Sequence, residues 1–199
     1  MSTAGIGLLA FGQQEGYYPS AGPSNVKITD VARQIVEQEQ AAGNATLVAV
    51  QWETGISLPD TMVDFRVSEF NTYTHYISTK QAIDKFVTFF KEHGAERIIL
   101  VAHPLHLFFI KLLIKSGAWK IKGIAIDYKY DKLMKQVPYD RSSGNVQWWT
   151  RDPISFTAYL IKTFFTNNTV REENQKNTAP HMVEPSLPGG ALSFPKTVG

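Results

Sequence analysis

The first 165 residues alternate between two hydrophobic periodicities, and this alternation limits the fold more than any other feature of the chain. Ile6–Phe11 and Leu47–Trp52 are short, nearly continuous apolar runs, as expected of strands covered on both faces. Arg97–Ala102 and Lys122–Asp127 read as two further strands. Helical spacing fills the intervals. Val31, Ile35 and Val36 follow a Thr29-Asp30 cap and run on to Gly43. Ile83, Phe86, Val87 and Phe90 stand at i, i+3, i+4 and i+7 between Ser78-Thr79 and Gly94. Pro104 opens a helix carrying Phe108, Phe109, Leu112 and Leu113 as far as Gly117, and Pro153–Phe165 is a last amphipathic helix. Glu53–Tyr76 and Lys129–Arg151 read as irregular. Strand and helix in strict turn predict an α/β fold, a mainly parallel sheet of four to five strands flanked by helices.

This pattern stops at residue 165. Residues 166–199 hold four of the ten prolines and balance three basic against three acidic side chains, with too little apolar surface to offset their ordering entropy. The expected organisation is a single domain over 1–165 and a flexible, Pro/Gly-rich tail over 166–199, through which a protein partner could be held. The chain has no cysteine, which excludes a disulfide framework, a thiol nucleophile and thiolate-held metal. Met1–Phe11 lacks the basic start of a signal peptide, and a cytoplasmic location is the expectation. The formal net charge of +2 makes neither nucleic acid nor a membrane an expected partner.

In open parallel sheets, ligands bind beyond the carboxyl ends of the strands. The polar residues expected at that edge are Gly12, Gln13 and Gln14 after the first strand and Glu53 after the second. His103 and His106 follow the third strand, and Asp127 ends the fourth. The two histidines span a helix start, where free amides favour an anion, and they titrate in the range useful to acid/base catalysis. Either could instead cap the helix. Glu53 stands where nucleotide-binding folds hold ribose hydroxyls, or it is a solvated loop acid. Gly5-Ile6-Gly7-Leu8-Leu9-Ala10 has the letters of a dinucleotide fingerprint but lies inside the strand instead of after it.

Residues 1–110 carry 7 basic and 11 acidic side chains, whereas 111–165 carry 10 and 4. The basic stretch reads as a wall for an anionic ligand or as the solvated face of a helix and loop. Trp148 and Trp149, beside Arg151 and Asp152, read as a lid or as an anchor for the last helix. Glu53, His75 or Asp127 joined to the histidines would supply adequate metal ligands, but nothing fixes their spacing, and no metal is expected. The chain lacks a Gly-x-Ser-x-Gly elbow and a P-loop.

The run Tyr76-Ile77-Ser78-Thr79-Lys80-Gln81-Ala82, the helix closing at His93-Gly94-Ala95, and Arg97-Ile98-Ile99-Leu100-Val101-Ala102-His103-Pro104-Leu105-His106 resemble the central part of the YdcF/SanA/ElyC family. Thr150-Arg151-Asp152 with Tyr159-Leu160 resembles its last helix. The resemblance covers residues 70–165 and implies a three-layer, Rossmann-like domain. It also implies a nucleotide-like ligand such as S-adenosylmethionine. Thr79 matches the family's helix-start threonine and His106 its histidine. Gln81 stands at an acidic position, and Phe109 replaces the arginine three residues after that histidine.

Together these readings predict a cleft binding an anionic or nucleotide-like small molecule, S-adenosylmethionine or a phosphorylated metabolite. His106, His103 and Glu53 would serve acid/base chemistry of a transferase or hydrolase, with Gly12, Gln13, Gln14, Thr79 and Asp127 contacting the ligand. One alternative is a non-catalytic interaction or accessory protein that kept the fold. The other is a metal-dependent hydrolase.

Overall fold

Five strands form one parallel sheet in the order β3-β2-β1-β4-β5. In this computed structural model the described residues are 2–12, 21–67, 78–143, 145 and 147–159. The strands are β1 (Thr3–Leu8), β2 (Ala45–Gln51), β3 (Phe65–Val67), β4 (Arg97–Val101) and β5 (Ala125–Ile126). The helices are α1 (Gly22–Ala41), α2 (Trp52–Gly55), α3 (Thr79–Glu92), α4 (Pro104–Lys115) and α5 (Asp131–Met134). Residues 153–159 are also helical. Helices flank the sheet, giving a three-layer, Rossmann-like α/β architecture. The described residues belong to one unit, Met1–Leu160. The expected boundary at 165 and the tail beyond it lie outside them.

The central strand is the most buried element. Ala4, Ile6 and Leu8 have no exposed surface, and the strand pairs with β2 on one side and β4 on the other. Its two glycines have a packing reason. A Cβ on Gly5 would lie 2.5 Å from Phe90 Cγ, and one on Gly7 would lie 2.8 Å from Phe86 Cδ2. The rings of α3 therefore rest directly on the β1 backbone, and the Gly-x-Gly letters record helix–strand contact instead of a phosphate loop. The Ser78–Gln81 capping box fixes where α3 begins: Ser78 Oγ accepts from Gln81 N, and Gln81 Oε1 accepts from Ser78 N.

Several boundaries differ from the sequence reading: β1 runs Thr3–Leu8 instead of Ile6–Phe11, and the short helices α2 and α5 fall in the stretches read as irregular. Helix α1 starts at Gly22, seven residues before the expected Thr29-Asp30 cap. Pro23 suits the first turn, and Thr29 Oγ1 donates to Asn25 O within the helix instead of capping it. The three-residue β3 lies inside the stretch read as irregular. The last strand is only Ala125–Ile126, because Gly123 turns the chain at φ 77° just before it.

The amino edge of the sheet is closed by a polar cluster. Glu39 is fully buried and accepts hydrogen bonds from Tyr130 Oη (2.8 Å), Asn44 Nδ2 (2.6 Å) and Arg97 Nη2 (2.5 Å). Burial alone would raise its pKa. The bonds from Tyr130 and Asn44 and the charges of Arg97 and Lys129 outweigh that and hold it below the ordinary carboxyl value.

Candidate functional site

The strand order reverses between β1 and β4, so the crevice of a Rossmann-like sheet opens beyond the carboxyl ends of these two strands. The chain leaving β1 is tightly held. Leu9 N donates to Val101 O, Ala10 N to Gln51 Oε1 and Phe11 N to Asn25 Oδ1, while Asn25 Nδ2 donates to Gly12 O. Gly12 has φ 89°, and a Cβ there would lie 2.5 Å from Asp140 Oδ2. The amides of Ala10 and Phe11 are thus occupied by buried side chains of β2 and α1, and Gly12, expected to contact the ligand, has Asp140 against it. Gln13 and Gln14, expected to contact the ligand, lie outside the described residues, as does His75.

His103 caps α4. Its Nδ1 accepts from Leu105 N at 3.3 Å, and its ring stacks on Phe11 with centroids 4.0 Å apart, with Tyr139 on it at 4.3 Å. Burial, with a smaller contribution from His106, pushes its pKa down to about 3. The imidazole is neutral at physiological pH and is already used in capping and packing.

His106 stands at the third position of α4. Its Nε2 is 2.9 Å from Oγ1 of Thr79, the first residue of α3. The hydrogen bond thereby joins the N-termini of two helices through residues 27 positions apart in sequence. Nδ1 is enclosed and makes no hydrogen bond. Burial pushes this imidazole down to about 4, so it too is neutral. If Thr79 donates to Nε2, the proton sits on Nδ1, and the free nitrogen is a directed donor. If Thr79 accepts, Nδ1 is a bare acceptor.

Glu53 follows β2 directly, in α2. Leu8 pairs with both Val50 and Val101, so the chains bearing Glu53 and His103 leave the sheet level with each other, about 10 Å apart across β1. Glu53 is 6% exposed, and its Oε2 has no hydrogen-bond partner. Burial raises its carboxyl to about 7. Among the described residues, no hydrogen bond or ion pair links it to either imidazole.

Asp127 does not reach this edge. Strand β5 pairs only with the first two residues of β4, which leaves Asp127 beside the start of that strand. Its Oδ2 is 3.2 Å from Arg97 Nε, and its amide donates to Ile98 O. The expected four-strand convergence is therefore corrected to three, because the fourth strand is too short to carry its acid across the sheet.

Sequence reasoning underrated the segment that closes over the crevice. Tyr139 lies against His103, and the fully buried Asp140 lies against Gly12. Asp140 Oδ1 accepts from Ser142 N and Oγ, and Asp140 N donates to Thr150 O. Ser24 Oγ at the start of α1 donates to Pro138 O. Trp149 stacks on Tyr159 with centroids 4.5 Å apart, which favours the anchoring role over the lid for this residue. Gln51 and Asn25, the side chains that shape the β1 loop, gave no sequence signal, since isolated amides mark no chemistry. No group of three His, Asp or Glu side chains among the described residues is placed to hold a metal ion.

No family model matches this chain, and no curated protein or solved structure does either. The reading of the site rests on its own geometry.

Proposed function

We propose that this protein binds a small molecule bearing an anionic or nucleotide-like group at the carboxyl edge between β1 and β4, with His106 and Thr79 as its polar contacts. The observation that carries this reading is the enclosed His106 Nδ1, which lacks a hydrogen bond at the meeting point of two helix N-termini. Partial positive charge from both helix ends favours an anion there. Burial keeps the imidazole neutral, so that it acts as a directed donor or acceptor instead of a cation. A bound anion would raise the His106 pKa toward the range where it serves as acid or base, the chemistry of a transferase or hydrolase. The resemblance to the YdcF/SanA/ElyC family, in which Thr79 matches a helix-start threonine and His106 a histidine, agrees with a nucleotide-like ligand such as S-adenosylmethionine; a phosphorylated metabolite would meet the same site.

Thermal shift against nucleotides, S-adenosylmethionine and sugar phosphates tests this. A ligand at 100 times its Kd stabilises by about 2.7 kcal/mol, and the shift should vanish in His106→Ala and weaken in Thr79→Val. A panel that moves no melting temperature, or a shift that survives both substitutions, defeats the proposal.

A second reading has its own support. The amides of Ala10 and Phe11 are already bonded, and Asp140 fills the space beside Gly12, where a dinucleotide phosphate would approach. This arrangement suits an accessory protein that keeps the fold without the chemistry. It predicts no ligand response and a co-purifying partner.

A further inference from the structure

Helix α4 turns only Leu107 and Ile110 fully inward. Phe108 is 57% and Leu112 50% exposed, and with Lys115 they stand at i, i+4 and i+7 on one face. Lys111, between them, reaches across to Asp131 and lies 4.4 Å from the Tyr128 ring centroid, which joins this face to the partly exposed Tyr128 and the start of α5. Lysine is concentrated along the sequence that runs from this helix into α5. Residues 111–135 contain seven lysines, no arginine and two aspartates. Lys115, Lys120, Lys122, Lys132 and Lys135 are exposed, and none forms an ion pair among the described residues.

We infer that the α4 face, with the exposed Phe108 and Leu112, Lys115 on the same helix face and further exposed lysines in the segment that follows, seats the protein on an anionic lipid surface. Large apolar side chains that protrude from a convex helix enter the headgroup boundary, and lysines around them meet lipid charge while their stems cover apolar surface. Lysine in place of arginine argues against a protein partner, because protein interfaces favour Arg and are depleted in Lys. The overall charge of +2 conceals this face because acidic residues lie mainly in the first 110 positions. The association is peripheral, since no helix among the described residues is long and apolar enough to cross a membrane.

The test is flotation of the full chain with vesicles of phosphatidylcholine alone and of phosphatidylcholine with phosphatidylglycerol. Binding should be about tenfold stronger to the anionic vesicles and should be lost at about 0.5 M salt. Phe108→Ser/Leu112→Ser and, separately, Lys115→Glu/Lys132→Glu should each reduce it at least about fivefold. Each variant is checked for an unchanged cooperative melt, and the lysine pair decides alone if the serine pair does not fold. No binding to anionic vesicles, equal binding to both, or binding that the folded variants retain would overturn the inference. So would a dimer in light scattering that the serine pair dissociates, because the face would then belong to a second copy.

Discussion

Glu53 carries a carboxyl that folding encloses without giving Oε2 a hydrogen bond, and its titration contributes to the pH dependence of stability between about pH 4.5 and 7. Its folded pKa of about 7 stands above the ordinary 4.5. Below 4.5 the group is protonated in both states and exacts no penalty. As pH rises toward 7 the unfolded chain loses its proton first, so stability falls, and above 7 the full penalty of about 3 kcal/mol applies at about 1.4 kcal/mol per pH unit. Glu53→Gln should therefore be nearly neutral at pH 4.5 and more stable than the parent by up to that amount at pH 8, as read from urea midpoints. A difference that does not grow with pH would show that the carboxyl is solvated or paired. The two histidines act with the opposite sign. Their folded pKa values of about 3 and 4 lie below the ordinary 6.5, so their contribution is present above 6.5 and is lost as pH falls. At this scale strand-end position singled out His106 and Glu53, whereas Thr79 was singled out as a helix-start residue through the family resemblance. Sequence could not reveal that His103 would be used up as a cap, because capping and catalysis call for the same residue at the same place.

Helix α3 shows how far element-level pattern reaches. Its apolar spacing and its Ser78 start were legible, and the helix occupies Thr79–Glu92. What it rests on was not legible, since Gly5 and Gly7 carry no side chain to announce a contact. Gly5→Ala places a methyl 2.5 Å from Phe90 Cγ, near the root of the side chain, where rotation gives little relief. The expected destabilisation is about 1–3 kcal/mol by denaturant unfolding. Phe90→Leu should partly rescue it, and two effects that simply add would mean that the contact is not the cause. The short strands were missed or overdrawn for a related reason. Three residues of β3 and two of β5 are too few for a period of two to stand out, and the register of β5, which strands Asp127 at the amino edge, is decided by Gly123 and the Arg97 ion pair.

The two edges of the sheet divide the work of the molecule. At the amino edge, Arg97 links Glu39 of α1 to Asp127 beyond β5, joining segments far apart in sequence around one buried carboxylate. At the carboxyl edge the helices are brought together with polar groups left over, Nδ1 of His106 and Oε2 of Glu53. A third buried polar atom without a hydrogen bond, Arg97 Nε, lies at the amino edge, but the Asp127 carboxylate stands 3.2 Å from it as an ion-pair partner. Among the described residues the atoms with neither a hydrogen bond nor an ion pair are those at the carboxyl edge, as in a fold where one edge holds structure and the other binds. This division makes a separable prediction. Arg97→Met leaves Glu39 buried without its guanidinium partner and should lower stability by about 3–5 kcal/mol. The loss should deepen as pH rises through the ordinary carboxyl value of 4.5, because below it the unpaired Glu39 takes a proton. Below their melting temperatures, His106-dependent ligand affinity should match in parent and variant by calorimetry. His106→Ala should do the reverse, with a small change in melting temperature and loss of affinity. If Arg97→Met weakened ligand binding as much as it weakened the fold, the edges would be coupled, and the carboxyl edge could no longer be treated as a site carried on an independent scaffold.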